Sequence, residues 1–401
     1  MILAALLDLS ALLAEAEANA PAIRAAQYRV AAAAERAPQA QALPDPLLSL
    51  TYENESLDRI TWGESMDTGA TVTWTQEFPG GGKRDAREQF ALAERRVAVE
   101  SSAAILATVR ARVFTAYVEL HRIDRTRAIV EGSRPLLEAA RDAARVRFEN
   151  GEGTLADVLK AGTALSRLEI DLAALDGERG RAEASLGAVL GRTGPARFAP
   201  ALDPPVELPW DPTAAEAAAL ENAPELRRLA SESARESSRI DAARLEMKPD
   251  WMASGAYTER GPLESMVMGM VGVRLPLWRD RKQARAVAEA ERERDAIDAD
   301  VDAARAALVA EVRDVAARID EAARRTSLLE QAIVPQRRAA FDAALAAYRN
   351  GRADFASVLD EVEGLYTESI EIETQRGARW SALAALEPLT GRAWLGPGVS
   401  R

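Results

Sequence analysis

The chain has no cysteine and one histidine. Without thiols there is no disulfide, no thiolate metal centre, no cysteine nucleophile and no lipid-modified N-terminal cysteine. One imidazole does not make a zinc site of the usual kind, which draws on several nitrogen or sulfur ligands. His121 sits inside a helical stretch, where a lone histidine reads as a surface or groove residue rather than a base or ligand. No run of about 18 apolar residues exists, so no transmembrane helix is expected. A basic surface is missing as well. Lys and Arg number 51 against 63 Asp and Glu, a net charge of −12. That balance argues against nucleic acid as a partner and is compatible with a cationic cargo. No nucleophile–base–acid set and no metal-ligand cluster stands out, so no enzyme and no cofactor are expected. The opening "MILAALLDLSALLAEAEANAP" has no basic leading segment, and Asp8 interrupts its apolar run. Either a signal peptide has been removed or there never was one.

What is present is alanine, arginine and charge in long stretches free of glycine and proline. Hydrophobic residues make up 48% and charged residues 28%, with aromatics at only 5%. This mix favours long helices packed through small residues. The 401 residues suffice for two or three ordinary domains or one elongated one.

The chain repeats itself. "NAPAIR" from Asn19 returns as "NAPELR" from Asn222, and "LPDP" from Leu43 is answered by "KPDW" from Lys248. "FPGGGKR" from Phe78 is answered by "LPLWRDRK" from Leu275. Pro135 and Pro335, Gly151 and Gly351, and "LGR" at Leu190 and "TGR" at Thr390 follow at one offset. Such matches in order indicate tandem duplication. The expected organisation is a first repeat over 1–200, a proline-rich linker over 201–212 and a second repeat over 213–401. The first repeat reads as a helix over 12–42, a β-hairpin over 45–79, a long helix over 84–149 and a helix over 154–192. The second reads as a helix, a hairpin over 250–277, a long helix over 279–349 and a helix over 354–391. In the 154–192 helix, Val158, Ala161, Leu165, Leu168, Leu172 and Leu175 alternate three and four apart as in a coiled-coil seam, and Arg179 interrupts it. Each long helix matches the summed length of its two shorter partners, as in a cylinder wall of stacked helices.

Four stretches alternate with period two. Leu48, Leu50 and Tyr52 lie on one face with Ser49, Thr51 and Glu53 on the other. Val72, Trp74 and Phe78 oppose Thr71, Thr73 and Thr75. Trp251, Ala253 and Tyr257 oppose Met252, Ser254 and Thr258, and Val267, Val271 and Val273 oppose Met266, Met268 and Met270. Half-buried antiparallel strands read this way. So do strands that cross an outer membrane with lipid on one side and water on the other. Four strands cannot close a barrel, and an open sheet edge in lipid is forbidden. If they span, several chains share one barrel, and three chains give twelve strands. That setting implies secretion and a removed signal peptide. The Met266, Met268 and Met270 stripe has the chemistry of a soft-metal track for Cu(I) or Ag(I). Flexible apolar filling is the simpler reading. The glycines of "GGGK" follow a proline and have the wrong spacing for a phosphate loop, so they read as a strand-to-helix turn.

At this point the duplication, "LPDPLLSLTYENE", "QEFPGGGKRDAR" and the paired turns "RFENGEGTLADVL" and "YRNGRADFASVL" together resemble the TolC family of outer-membrane efflux ducts. The resemblance covers essentially the whole chain. The "PGGGKR" segment is most similar to the cation-efflux, CzcC-like branch that serves heavy-metal exporters. The resemblance implies a mainly α fold with a small β part: long helical hairpins in an α-barrel, and four strands per chain in a 12-stranded trimeric barrel. It implies a passive duct exporting heavy-metal cations or drugs, a homotrimer, outer-membrane lipid, a periplasmic membrane-fusion adaptor and an inner-membrane RND-type pump as partners. The helical part would lie in the periplasm. Asn150, Gly151, Asn350 and Gly351 would be the hairpin tips that meet the adaptor. Tyr348 and Asp157 occupy the positions of a bond that holds the mouth closed, and Asp360 that of a pore-narrowing carboxylate. A second restraint is absent, because Ala353 and Ala156 stand where it needs an arginine and a threonine. Ser357 stands where another pore aspartate would be. The competing expectation is a soluble coiled-coil scaffold or periplasmic adaptor, with the strands in a small lipoyl-like or sandwich domain.

Overall fold

The computed structural model describes residues 8–55, 57–201 and 203–396. The apolar start at 1–7, on which the signal-peptide expectation bears, lies outside the described residues. Helix α1 (Leu9–Asn19) begins where Asp8 accepts a hydrogen bond from the Ser10 amide at 2.9 Å. A single helix over 12–42 was expected, and the structure divides it into α1, α2 (Pro21–Ala34) and α3 (Arg36–Gln41). The break is the Asn-Ala-Pro motif. Proline has no amide to donate and its ring cannot follow a helical turn, so it opens a new helix at its first position. The second repeat breaks at the same motif, between α6 (Pro212–Asn222) and α7 (Pro224–Leu245).

The long helix of the first repeat, α4 (Lys83–Glu149), has 67 residues and carries Pro135 inside it. At 1.5 Å per residue it is about 100 Å long. The second repeat differs. Its long helix begins at Gln283 as α8 (Gln283–Leu328), passes through a π-helical turn at Leu329–Ile333 and resumes as α9 (Val334–Arg349). The expectation of one unbroken helix from 279 is corrected at both points. Residues 278–282 form turns, and the ring of Pro335 would press on the carbonyl of Gln331. A wider turn relieves that clash. The hairpins close with α5 (Leu155–Val189) and α10 (Phe355–Thr390).

Two compact units divide the chain. One takes Ser102–Leu226 with the segments up to Ala26 and from Ala304; the other takes Gln27–Ser101 and Arg227–Ala303. The first has a helical core of Phe114, Tyr117, Leu120, Leu186, Leu383 and Leu386, all nearly inaccessible. Ala16, Ala140, Ala144, Ala161, Ala215 and Ala219 are fully buried beside them. Small side chains let helices approach closely, which is the structural use of the alanine-rich composition. The proline-rich junction supplies strand β3 (Val206–Glu207), which pairs with β6 (Leu395–Gly396).

His121 is corrected by this unit. It is 3% exposed, neither surface nor groove. Its Nδ1 donates to the Ala201 carbonyl at 2.8 Å, and its ring meets Trp380 edge-on at 5.2 Å. Arg179, the break in the seam, is a clamp on the same segment. It bonds Asp124 at 2.8 Å and the carbonyls of Phe198 and Ala199 at 3.2 Å, and it pairs with Glu183. Asp124 in turn accepts from the Ala201 amide at 2.8 Å. A charge at a seam position is tolerated because Asp124, Glu183 and two backbone carbonyls all bond to it.

The second unit holds one antiparallel sheet in the order β1 (Leu47–Glu53), β2 (Gly69–Phe78), β4 (Asp250–Glu259), β5 (Met266–Arg274). The two repeats meet at β2 and β4, with Val72 opposite Tyr257 and Trp74 opposite Gly255. The "GGGK" segment turns β2 into α4. Lys83, 2% exposed, pairs with Asp250 at 2.8 Å and Glu246 at 3.2 Å. Gly80 donates to Asp250 at 2.7 Å. A Cβ on Gly80 would lie 2.2 Å from the Pro249 carbonyl oxygen, so only glycine fits.

Candidate functional site

The two Asn-Gly turns have one backbone design. Gly151 has φ +76° and Gly351 φ +71°, the left-handed region that ends a helix at low cost only for glycine. Amides just past each helix end return to its last carbonyls: Glu152 to Arg147 and Arg352 to Ala347, both at 2.9 Å. The next helices are capped alike. Thr154 accepts from the Asp157 amide at 3.2 Å, and Asp354 accepts from the Ser357 amide at 2.9 Å. The Ser357 hydroxyl and amide hold the Asp354 carboxyl below the ordinary carboxylate range. Ser357 therefore serves the cap as its donor, with Asp354 as the capping residue. Asn150, Gly151, Asn350 and Gly351 are all exposed.

The structure brings Tyr348 and Asp157 together across the repeat. The Tyr348 hydroxyl donates to Asp157 Oδ2 at 3.3 Å. Tyr348 is 2% exposed and packs against Phe355 with ring centres 5.2 Å apart. Burial, then the Asp157 charge, push its hydroxyl pKa above the usual value, so it remains a proton donor at neutral pH. Asp360 is exposed and is not part of this contact; it has no ion-pair partner among the described residues. Its neighbour Glu361 is committed to Arg337 at 3.1 Å.

Arg147 is the residue that sequence reasoning missed. Its guanidinium lies 4.7 Å from the centre of the Tyr348 ring. One terminal nitrogen donates to the Tyr348 carbonyl at 2.7 Å and the other to the Glu152 carbonyl at 3.0 Å. It thereby holds backbone of both turns while its charge rests on the ring. The only sequence signal was an arginine in the last turn of a helix, a common position because of the helix dipole. The two turns differ in what they display. The second buries Tyr348, Phe355 and Val358, while the first exposes Phe148, Leu155 and Leu159.

The sheet has two chemically distinct faces. One exposes Leu48, Leu50, Trp74, Trp251, Tyr257, Val267 and Val271. The other forms a hollow lined by Thr51, Thr71, Thr73, Ser254, Thr258 and the methionines Met266, Met268 and Met270. The outer edges of β1 and β5 have no strand partner among the described residues. No group of His, Asp or Glu that could hold a metal occurs among the described residues, and no helix is long and apolar enough to cross a membrane.

Duplicated helical hairpins and a shared sheet with one apolar and one hydroxylated face define a channel-wall protein. The model of the family described as outer membrane efflux protein matches residues 12–192 and again 217–392, and the chain belongs to that family. Among curated proteins, the chain is 24% identical over 356 residues to the cobalt-zinc-cadmium resistance protein CzcC of Cupriavidus metallidurans, covering 88% of this chain and 82% of that one. Among solved structures, the outer membrane protein VceC of Vibrio cholerae superposes with a TM-score of 0.77 at 19% identity, over 96% of each chain. CusC superposes with a TM-score of 0.78 at 16% identity, over 98% of this chain and 92% of its own. The fold is that of the TolC-like outer-membrane channels, mainly helical with a small β part, as expected. The chain is an efflux protein of the outer membrane and not an enzyme, and the soluble-scaffold expectation is set aside.

Proposed function

We propose that three copies of this chain form a passive duct that carries heavy-metal cations from a periplasmic adaptor and an inner-membrane RND-type pump to the exterior. The observation that carries this reading is the four-stranded sheet. It has two open edges and a broad exposed apolar face, and lipid tolerates such a sheet only when it closes with other copies. Three copies supply twelve strands, with the Thr and Ser face toward water. The paired helices form an α-barrel in the periplasm, and the proline-rich junction is its equatorial segment. Asn150, Gly151, Asn350 and Gly351 ring the periplasmic mouth and, with exposed Phe148, Leu155 and Leu159, meet the adaptor. The Tyr348–Asp157 bond, braced by Arg147, latches each pair of hairpins in the closed state. Three Asp360 carboxylates around the axis favour cations at the mouth. The metal class follows from CzcC, a cobalt-zinc-cadmium resistance protein by name, and agrees with the acidic composition.

The deciding experiment deletes the protein and compares growth in Co²⁺, Zn²⁺, Cd²⁺ and hydrophobic drugs. Increased sensitivity to the metals is expected. Sensitivity to drugs alone would overturn the cation assignment. A full-length protein that stays monomeric and needs no detergent would overturn the duct.

A further inference from the structure

Four of the seven methionines lie on one face of the sheet and a fifth, Met66 in the turn before β2, lines the same hollow; it is not the face of exposed aromatic and aliphatic residues. Met66, Met266, Met268 and Met270 line the hollow beside Thr71, Thr73, Ser254 and Thr258. Met252 lies on the same side. It is paired with Gly272, and a Cβ on that glycine would fall 2.8 Å from the Met252 sulfur. Gly272 thus leaves the space into which Met252 folds, next along the row from Met270. On β5 the row advances two residues at a time, about 7 Å per step.

Filling does not explain the row. Methionine is used as filler where irregular gaps in a core are closed, and there it is buried. Met266, Met268 and Met270 are 39%, 53% and 52% exposed. Across the strand Met268 is opposite Ala256, Met270 opposite Ser254 and Met266 opposite Thr258, and the rest of the hollow is lined by small and hydroxylated residues together with Glu53, Asp67 and Arg260. The Thr71 and Thr258 hydroxyls bond to each other at 2.9 Å, and the three methionines supply a row of thioethers along β5 beside them. A thioether is neutral, has no proton to lose and binds soft monovalent cations in preference to hard divalent ones.

We propose that Met266, Met268 and Met270, with Met252 and Met66 at the flanks, form a thioether track that binds Cu⁺ and Ag⁺. The track deepens the duct reading and rests on it, because it lies on the face that the duct turns inward. It assigns this barrel a cargo class that carboxylates would not select. Weak, repeated sites suit passage, since an ion held by one thioether can move to the next.

The test uses full-length protein purified in detergent, with silver nitrate in chloride-free buffer as the probe. Ag⁺ binding is measured by calorimetry, and its ligands by X-ray absorption at the silver edge. Sulfur ligation is expected for the unaltered chain. The combined change Met266→Leu, Met268→Leu and Met270→Leu keeps volume and apolarity, and should weaken Ag⁺ binding by about tenfold or more. The far-ultraviolet circular dichroism and elution volume of that variant should match the parent, which shows that it folds and assembles. The variant Met268→Leu alone should give a smaller loss in the same direction if the triple variant assembles poorly. Undiminished Ag⁺ affinity in the leucine variants, or silver without sulfur neighbours, would overturn the track. A parent protein that conducts no ions yet binds Ag⁺ through sulfur would overturn the duct and leave the site standing.

Discussion

Tyr348, Asp157 and Arg147 make a contact in which each residue does something different. The tyrosine donates, the carboxylate accepts, and the guanidinium fixes the backbone on both sides while resting on the ring. A hydrogen bond to a charged partner contributes about 1.5–3 kcal/mol when well aligned, and less at 3.3 Å. Tyr348→Phe combined with Asp157→Ala should therefore leave the fold intact and raise single-channel conductance in planar bilayers. Arg147→Ala should raise it as well, because it frees both turns at once. Conductance equal to the parent in all variants would remove the contact from any gating role. His121 makes a separate prediction. Burial holds its pKa below the ordinary imidazole value, against weaker opposing influences that include Glu373. The unfolded chain then binds more protons as pH falls below about 6.5. Stability should be level above that pH and decline below it. His121→Gln should flatten this decline in thermal melts recorded between pH 5 and 8.

At the scale of the element, the decisive features are turns and breaks. Gly151 and Gly351 hold left-handed backbone that an L side chain adopts at a cost of roughly 1–2 kcal/mol. Gly151→Ala or Gly351→Ala should destabilise by about that amount, seen as faster hydrogen exchange in the amides of 147–153 or 347–353. Unchanged exchange would show that the turn has relaxed to another conformation. The turns were legible in the sequence because Asn-Gly followed by a capping residue has one economical backbone solution. The Asn-Ala-Pro breaks carried a signal too, but helical periodicity on both sides masked it. The π turn before Pro335 had no signal of its own. Pro135 occupies the matching place in the first repeat and is absorbed by a continuous α-helix. Which solution is adopted depends on what packs around the proline.

The whole molecule depends on two faces of one sheet. On the proposed lipid side, Val271 is 75% exposed. Val271→Arg should oppose membrane assembly by about 2–4 kcal/mol near the bilayer centre. Thr73→Arg, on the hydroxylated face, should be tolerated. Assembly of the proposed trimer in the outer-membrane fraction, followed by gel electrophoresis, measures the difference. Equal assembly of the two variants would reverse or erase the assignment of faces.

The sequence by itself determined the long helices, the four strands of the sheet and their two faces. Each follows from local periodicity, and the periods of 3.6 and 2 leave little freedom. It also placed Tyr348 and Asp157 at equivalent turns of the two repeats. Only the tertiary structure decided that β2 of one repeat pairs with β4 of the other, that Lys83 anchors this seam, and that buried His121 and half-buried Arg179 support the junction. It alone put Arg147 on Tyr348 and the methionines beside hydroxyls rather than aromatics. These are contacts between residues far apart in the chain. Their partners are set by packing and desolvation, which no local pattern records.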